Sequence, residues 1–161
     1  MVYNFKVYTD GSSKNNGKSN NVGGWAYAII ENDEPVCVVS GRATNTTNQK
    51  MELLAAINAL KDIQQRLGDS PIFSCIVYSD SAYLVRCYNE GWYMRWRVNG
   101  WVNSSKQPVA NKELWEELIP FFEDHRFAFQ KVKGHSTDKD EHSKFNNLVD
   151  EAAQAAAVGG K

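Results

Sequence analysis

"KVYTDGSSKN", residues 6–15, decides how this chain folds. An apolar, β-favouring run (Val2, Phe5, Val7, Tyr8) breaks at Asp10, and Gly11, Ser12 and Ser13 read as a turn away from the strand. The same pattern returns at "IVYSDSAYLV", residues 76–85, where Ile76, Val77 and Tyr78 lead into Ser79-Asp80-Ser81. One such aspartate is an ordinary turn-capping group whose side chain bonds nearby amides. Two at the ends of apolar strands raise the question of whether they meet.

The rest of the chain supplies the frame. Residues 2–10 read as the first strand, 21–33 as a second with a turn at Asn32-Asp33, and 34–44 as a third, so 22–43 form a hairpin. After the polar loop 44–49, Met51, Leu54, Ile57, Leu60, Ile63 and Leu67 recur at helical spacing, with Thr47 or Asn48 as N-cap and Gly68 as the stop. Residues 72–79 predict a strand buried on both faces, and a helix follows from about Ser81 to Asn89. Residues 111–125 predict a helix capped by Asn111, which Pro120 should kink or shorten. A fifth strand spans 127–132, a charged loop 133–145, and an Ala-rich helix 146–158. A hairpin leading into alternating units predicts an α/β fold with a mixed five-stranded sheet and helices packed on it.

The totals exclude several classes. A chain of 161 residues that is 42% hydrophobic and 23% charged suits one globular domain, taken as residues 1–161. No apolar run is long enough for a bilayer span, and no signal peptide precedes the first strand, so a soluble cytoplasmic protein without membrane contact is expected. Cys37, Cys75 and Cys87 lie in or beside apolar runs and read as free thiols. A net charge of −1 excludes a uniformly basic nucleic-acid binder. Residues 86–106 are the local exception: they carry Arg86, Arg95, Arg97 and Lys106 against only Glu90, interleaved with Trp92, Trp96 and Trp101. That asymmetry suits a polyanionic partner.

If the first and fourth strands are neighbours, Asp10 and Asp80 converge at the end of the sheet where ligands of such folds collect. Glu52 lies at the start of the first long helix and Asp150 in the last helix. Singly, each has a bland reading, as a helix-start acid or an exposed surface acid. Together they would repel one another unless a cation lay between them, and hard carboxylate oxygens suit Mg²⁺ or Mn²⁺. The three histidines and three cysteines lack zinc spacing, and "DKDEHSKFNNLV" lacks the Gly and closing Glu of a calcium loop.

"YTDGS", "TTNQKMELLAAINAL", "YSDSAYLV", "GWYMRWRVNGW" and "VKGHS" occur in the order found in type 1 ribonucleases H, and the chain resembles that family over nearly its whole length. The resemblance implies the ribonuclease H-like fold, a mixed five-stranded sheet with helices on both faces. It also implies hydrolysis of the RNA strand of RNA/DNA hybrids with two Mg²⁺ ions, Mn²⁺ being able to substitute, giving 5′-phosphate and 3′-hydroxyl ends. Asp10, Glu52, Asp80 and Asp150 match the metal-binding acids, and His135 matches the loop histidine of proton transfer and product departure. Asn16, Asn48, Gln49 and Asn146 match positions that sense the RNA 2′-hydroxyl. Tyr83, Trp92 and Trp96 match the aromatic groove for the DNA strand, Thr47 and Asn99 a pocket for a DNA phosphate, and Arg95 and Arg97 the basic handle of bacterial members. Arg42 stands near that pocket, at a longer spacing from Thr47 than the family has.

This chain departs from the shorter family form in the extra segment "DKDEHSKF". Asp150 remains the expected fourth acid, in preference to Asp138, Asp140 or Glu151. It opens an Ala-rich run, and Asn146 lies one helical turn before it. The resemblance predicts a monomer with no obligate protein partner. Two rivals stay open: a non-catalytic hybrid-binding module, and another nuclease of this fold, resembling resolvases or integrases.

Overall fold

The computed structural model describes residues 3–14, 21–68, 73–132 and 140–158. The strands are β1 (Tyr3–Lys14), β2 (Val22–Glu31), β3 (Glu34–Thr44), β4 (Phe73–Ser79) and β5 (Phe127–Lys131). The helices are α1 (Asn48–Leu67), α2 (Ala82–Glu90), α3 (Trp92–Val98), α4 (Lys112–Phe122) and α5 (Glu141–Val158). The sheet runs in the order β3-β2-β1-β4-β5. β1–β2 and β2–β3 are antiparallel, while β1–β4 and β4–β5 are parallel.

Alternation along the central strands builds two cores. Phe5 and Val7 of β1, with Cys75 and Val77 of β4, face a large core completed by α1, α2, α3 and α4. Tyr8 and Tyr78 point the other way, into a smaller core closed by Phe145, Val149 and Ala153 of α5. Helices therefore cover both faces of the mixed sheet, as the ribonuclease H-like fold requires.

The local chemistry explains the boundaries. Asn32 and Asp33 both take positive φ (48° and 68°), the left-handed pair that a two-residue hairpin turn needs. Thr47 caps α1, its hydroxyl accepting from Lys50 N at 3.1 Å. At the other end, Gly68 takes φ 57° and closes the helix with a bond to Gln64 O.

Five expectations need correction. β1 does not turn at Gly11. It continues to Lys14, because Asp10–Lys14 remain paired with Ala26–Val22 of β2 after the last β4 partner pair, Thr9–Ser79. β4 is not buried on both faces throughout: Ser74 is exposed and Ile76 half-buried, since α5 covers that face only around Tyr78. α4 ends at Phe122, two residues after Pro120 and three before the expected 125, while Asn111 is its N-cap as expected, at φ 62° and through its backbone carbonyl without a side-chain cap bond. β5 ends at Lys131. α5 starts at Glu141, five residues before the expected Asn146, because Asp140 Oδ1 accepts from Ser143 N at 2.8 Å and caps the charged segment into the helix. Residues 133–139 of the predicted loop lie outside the described residues.

α5 reaches the sheet closely only because β2 offers glycine. A Cβ on Gly24 would stand 2.1 Å from Ala153 O and 2.8 Å from Ala157 N, both backbone atoms. Gly24→Ala should therefore destabilise the protein by about 1–3 kcal/mol, the usual cost of overpacking. Urea denaturation should show this as a lower midpoint at unchanged slope.

Candidate active site

The parallel pairing of β1 and β4 ends at Thr9–Ser79, and the residue after each partner is an aspartate. Asp10 and Asp80 are thus brought side by side by register alone. Glu52 arrives from α1, as the fifth residue of the helix and so in its second turn rather than its first. Gly11 permits this approach: a Cβ there would lie 2.4 Å from both Glu52 N and Met51 C. One carboxylate oxygen from each of Asp10, Glu52 and Asp80 falls within 4.8 Å of the others.

Asp10 is buried, and Gly11 N donates to its Oδ1 at 2.8 Å. Burial, then the charges of Glu52 and Asp80, push its carboxyl far above the usual range, and a hydrogen bond with Asp150 adds to this. Burial and the Asp80 charge likewise raise Glu52. The Asp10–Glu52 hydrogen bond raises Asp10 and lowers Glu52, so in the metal-free protein Asp10 is the proton's side of the pair. Glu52 Oε2 is buried without a hydrogen-bond partner. An all-oxygen donor set, an orphaned buried carboxylate oxygen and mutually repelling charges fit a hard divalent cation such as Mg²⁺ or Mn²⁺.

Asp150 reaches this group from α5 through its hydrogen bond with Asp10, while Gln154 Nε2 donates to both its oxygens at 3.2 Å. Its competitors lie elsewhere: Asp140 caps α5, Glu151 is exposed, and Asp138 is outside the described residues. His135 and Asn16 also fall outside the described residues.

The amides ring the start of α1 and the middle of α5. Asn48 Oδ1 accepts from Ser13 N at 2.7 Å, and Gln49 Oε1 accepts from Asn111 Nδ2 at 2.8 Å. Asn146 is buried, one turn before Asp150. Asn21 anchors the loop that presents Thr47, bonding Ser13 Oγ and both the N–H and C=O of Thr46. Arg42 is exposed on β3.

A second region is a cleft of about 470 Å³ whose lining includes Tyr83, Arg86, Trp92, Arg95, Trp96 and Asn99. Tyr83 and Trp92 meet edge to face at 5.1 Å, and the Arg86 guanidinium lies 5.4 Å from the Trp92 ring centre. Trp96 belongs mainly to the core: it is 6% exposed and packs on Trp115 at 5.4 Å. Asn99 Oδ1 accepts from Val102 N at 3.3 Å. Arg97 does not line the cleft and pairs with Glu123 at 2.8 Å. Sequence reasoning gave no site role to Arg86, Asn21, Asn111 or Gln154. Gln154 had a usable signal, since it lies four residues after Asp150 on a helix.

Comparison with known proteins agrees with this geometry. The RNase H family model matches residues 3–158. The ribonuclease H of Chlorobaculum parvum is 42% identical over 159 residues, 97% of this chain and 97% of that protein. Among solved structures, LC9-RNase H1, a type 1 RNase H with the type 2 active-site motif, superposes with TM-score 0.77 at 24% identity, covering 100% of this chain and 75% of that one. LC11-RNase H1, solved in complex with RNA/DNA hybrid, gives TM-score 0.64 at 22% identity, covering 94% of this chain and 98% of that one.

The raised carboxyls carry a stability signature. An acid whose folded pKa is raised contributes fully below its unfolded pKa, about 4, and costs stability as pH rises toward the folded value. In excess chelator, Asp10→Asn should therefore raise Tm at pH 7.5, by about 2–4 °C per kcal/mol relieved, and the gain should shrink toward pH 4. Paired thermal melts at the two pH values check this.

Proposed function

We infer the reaction from one premise: this chain belongs to the RNase H family. It is an enzyme of that kind, and we propose that it hydrolyses the RNA strand of RNA/DNA hybrids, leaving 5′-phosphate and 3′-hydroxyl ends. The observation that carries this reading is the convergence of Asp10, Glu52 and Asp80, with Asp150 in contact, beside the open end of β4.

Asp10, Glu52, Asp80 and Asp150 would hold two divalent ions, Mg²⁺ or Mn²⁺. When bound, such ions supply an activated water and positive charge opposite the departing 3′-oxygen. The chain's own groups do the rest. Asp10 sits where burial and its neighbours fix the carboxylate in one orientation, and Gln154 holds that of Asp150. Asn48, Gln49 and Asn146, with Asn16, would read the RNA strand, because amides both donate to and accept from a 2′-hydroxyl. Ser13 and Asn111 brace two of these amides, so they are presented in a fixed orientation. His135 would carry protons to and from the departing product.

The DNA strand would follow the cleft. Tyr83 and Trp92 offer ring surface to deoxyribose, which has no 2′-hydroxyl to desolvate, and Trp96 supports Trp92 from below at 6.3 Å. Arg95 supplies charge for phosphate, and Thr47 and Asn99 would bind a DNA phosphate. Arg97, held by Glu123, contributes to the rim's field more than to direct contact. The whole chain would act as a single-domain monomer without an obligate protein partner. Among the described residues no helix is long and apolar enough to cross a membrane.

A gel of end-labelled RNA/DNA, RNA/RNA and DNA/DNA duplexes tests the reading. Only the hybrid should be cut, only in its RNA strand, and chelator should stop it. Asp80→Asn should abolish cutting while hybrid binding persists, since it removes a ligand charge and almost no volume. A variant that cuts at the wild-type rate would refute the metal assignment. Hybrid bound but never cut by wild type would favour a binding module.

A further inference from the structure

We propose that His142, Tyr8 and Tyr78 form an aromatic clamp that positions Asp150 against Asp10 and Asp80, an inference that rests on the metal-site reading above. His142 belongs to "DKDEHSKF", the segment for which sequence reasoning finds no role. The Tyr8 hydroxyl and His142 Nδ1 share a hydrogen bond at 2.6 Å. The imidazole also lies against Tyr78, ring centres 4.5 Å apart, and Tyr8 stacks on Tyr78 at 4.9 Å with planes 16° apart.

Each member of the clamp is tied to one acid. Tyr8 stands two residues before Asp10 on the same face of β1, and Tyr78, which shares that face on β4, stands two residues before Asp80, the residue that follows the strand's end. His142 stands eight residues before Asp150 on α5, about two turns and roughly 12 Å along the helix. The three elements that deliver Asp10, Asp80 and Asp150 are therefore joined at a second point, below the site.

Apolar burial cannot do this job alone. Phe145, Val149 and Ala153 hold α5 to the sheet, yet such contacts are non-directional and leave the helix's rotation and height weakly fixed. A short hydrogen bond between rings fixes both. Lys6 and Glu141 pair beside the clamp at 2.8 Å, but both are partly exposed and such a pair contributes little. His142 acts through Tyr8 and Tyr78 from about two turns away from Asp150, so it is a positioning residue and not a catalytic one.

The test is calorimetric titration of Mn²⁺ into the full chain without substrate, for wild type, Tyr8→Phe, His142→Phe and the double variant, with Asp80→Asn as the control that disables the site. Both single changes keep a ring and remove one half of the hydrogen bond. Each should weaken Mn²⁺ binding roughly tenfold, the lower end for groups that orient metal ligands. The double variant should be no worse than the weaker single, because one interaction is lost in all three. Turnover should fall at limiting Mn²⁺ and recover at high Mn²⁺, with KM for hybrid unchanged. Wild-type Mn²⁺ affinity in both singles, even with a lower Tm, overturns the clamp, as do losses that add fully in the double. Should His142→Phe fail to fold, Tyr8→Phe decides by itself. A wild-type chain that takes up no Mn²⁺ overturns the metal-site reading, and the clamp with it.

Discussion

Three carboxylates whose oxygens lie within 4.8 Å of one another cannot all be bare anions in a partly buried site. Unit charges 4 Å apart interact by about 4 kcal/mol at an effective dielectric of ~20. The chain meets that constraint in the metal-free state by holding a proton on Asp10, against Glu52. A divalent cation removes the conflict more completely, because it neutralises the repulsion and satisfies the orphaned Glu52 oxygen together. The free energy that folding spends on this arrangement is recovered only when the cation binds. That is the usual pattern of a functional site set into an otherwise consistent fold.

Everything else in the structure keeps those acids together. Register between β1 and β4 puts two of them side by side. Glycine at position 11 lets α1 come close enough to deliver the third, and glycine at position 24 lets α5 lie close enough to deliver the fourth. The two cores on opposite faces of the sheet hold α1 and α5 against it, and for α5 the directional Tyr8–His142 bond adds to that packing. The aromatic cleft is a separate construction. Its floor, through Trp96 and Trp115, belongs to the larger core, so the same packing that stabilises the fold shapes the cleft.

The fold was legible because its signals are local and periodic: the helical spacing from Met51 to Leu67, the alternation in β1, and the Asn32-Asp33 turn. What escaped is tertiary. β1 reads as ending at Gly11 because Gly, Ser and Ser favour turns, but pairing with β2 overrides that preference as far as Lys14. The start of α5 was hidden in a charged run with no apolar period, where a single Asp140 cap and the burial of Ser143 and Phe145 determine the outcome. Trp96 reads with Tyr83 and Trp92 as part of an aromatic groove, yet α3 turns it toward Trp115. The sequence places Trp92 and Trp96 four residues apart without showing which face of a seven-residue helix meets the core. Asp10 and Asp80 stand out by their place at strand ends, whereas Glu52 and Asp150 join them through the family resemblance. Their mutual distances, and the supporting Asn21, Asn111 and Gln154, required the assembled sheet.

Proton release on metal binding tests the central claim most directly, because it reads the charge state of the acid cluster without relying on catalysis. Calorimetric titration of Mg²⁺ into the metal-free chain at pH 7, repeated in buffers of different ionisation enthalpy, counts the protons displaced. The account predicts saturable binding with release of protons from the cluster, lost as the pH is raised far enough to empty it beforehand. Binding with no proton released at pH 7, or no binding at all, would contradict it.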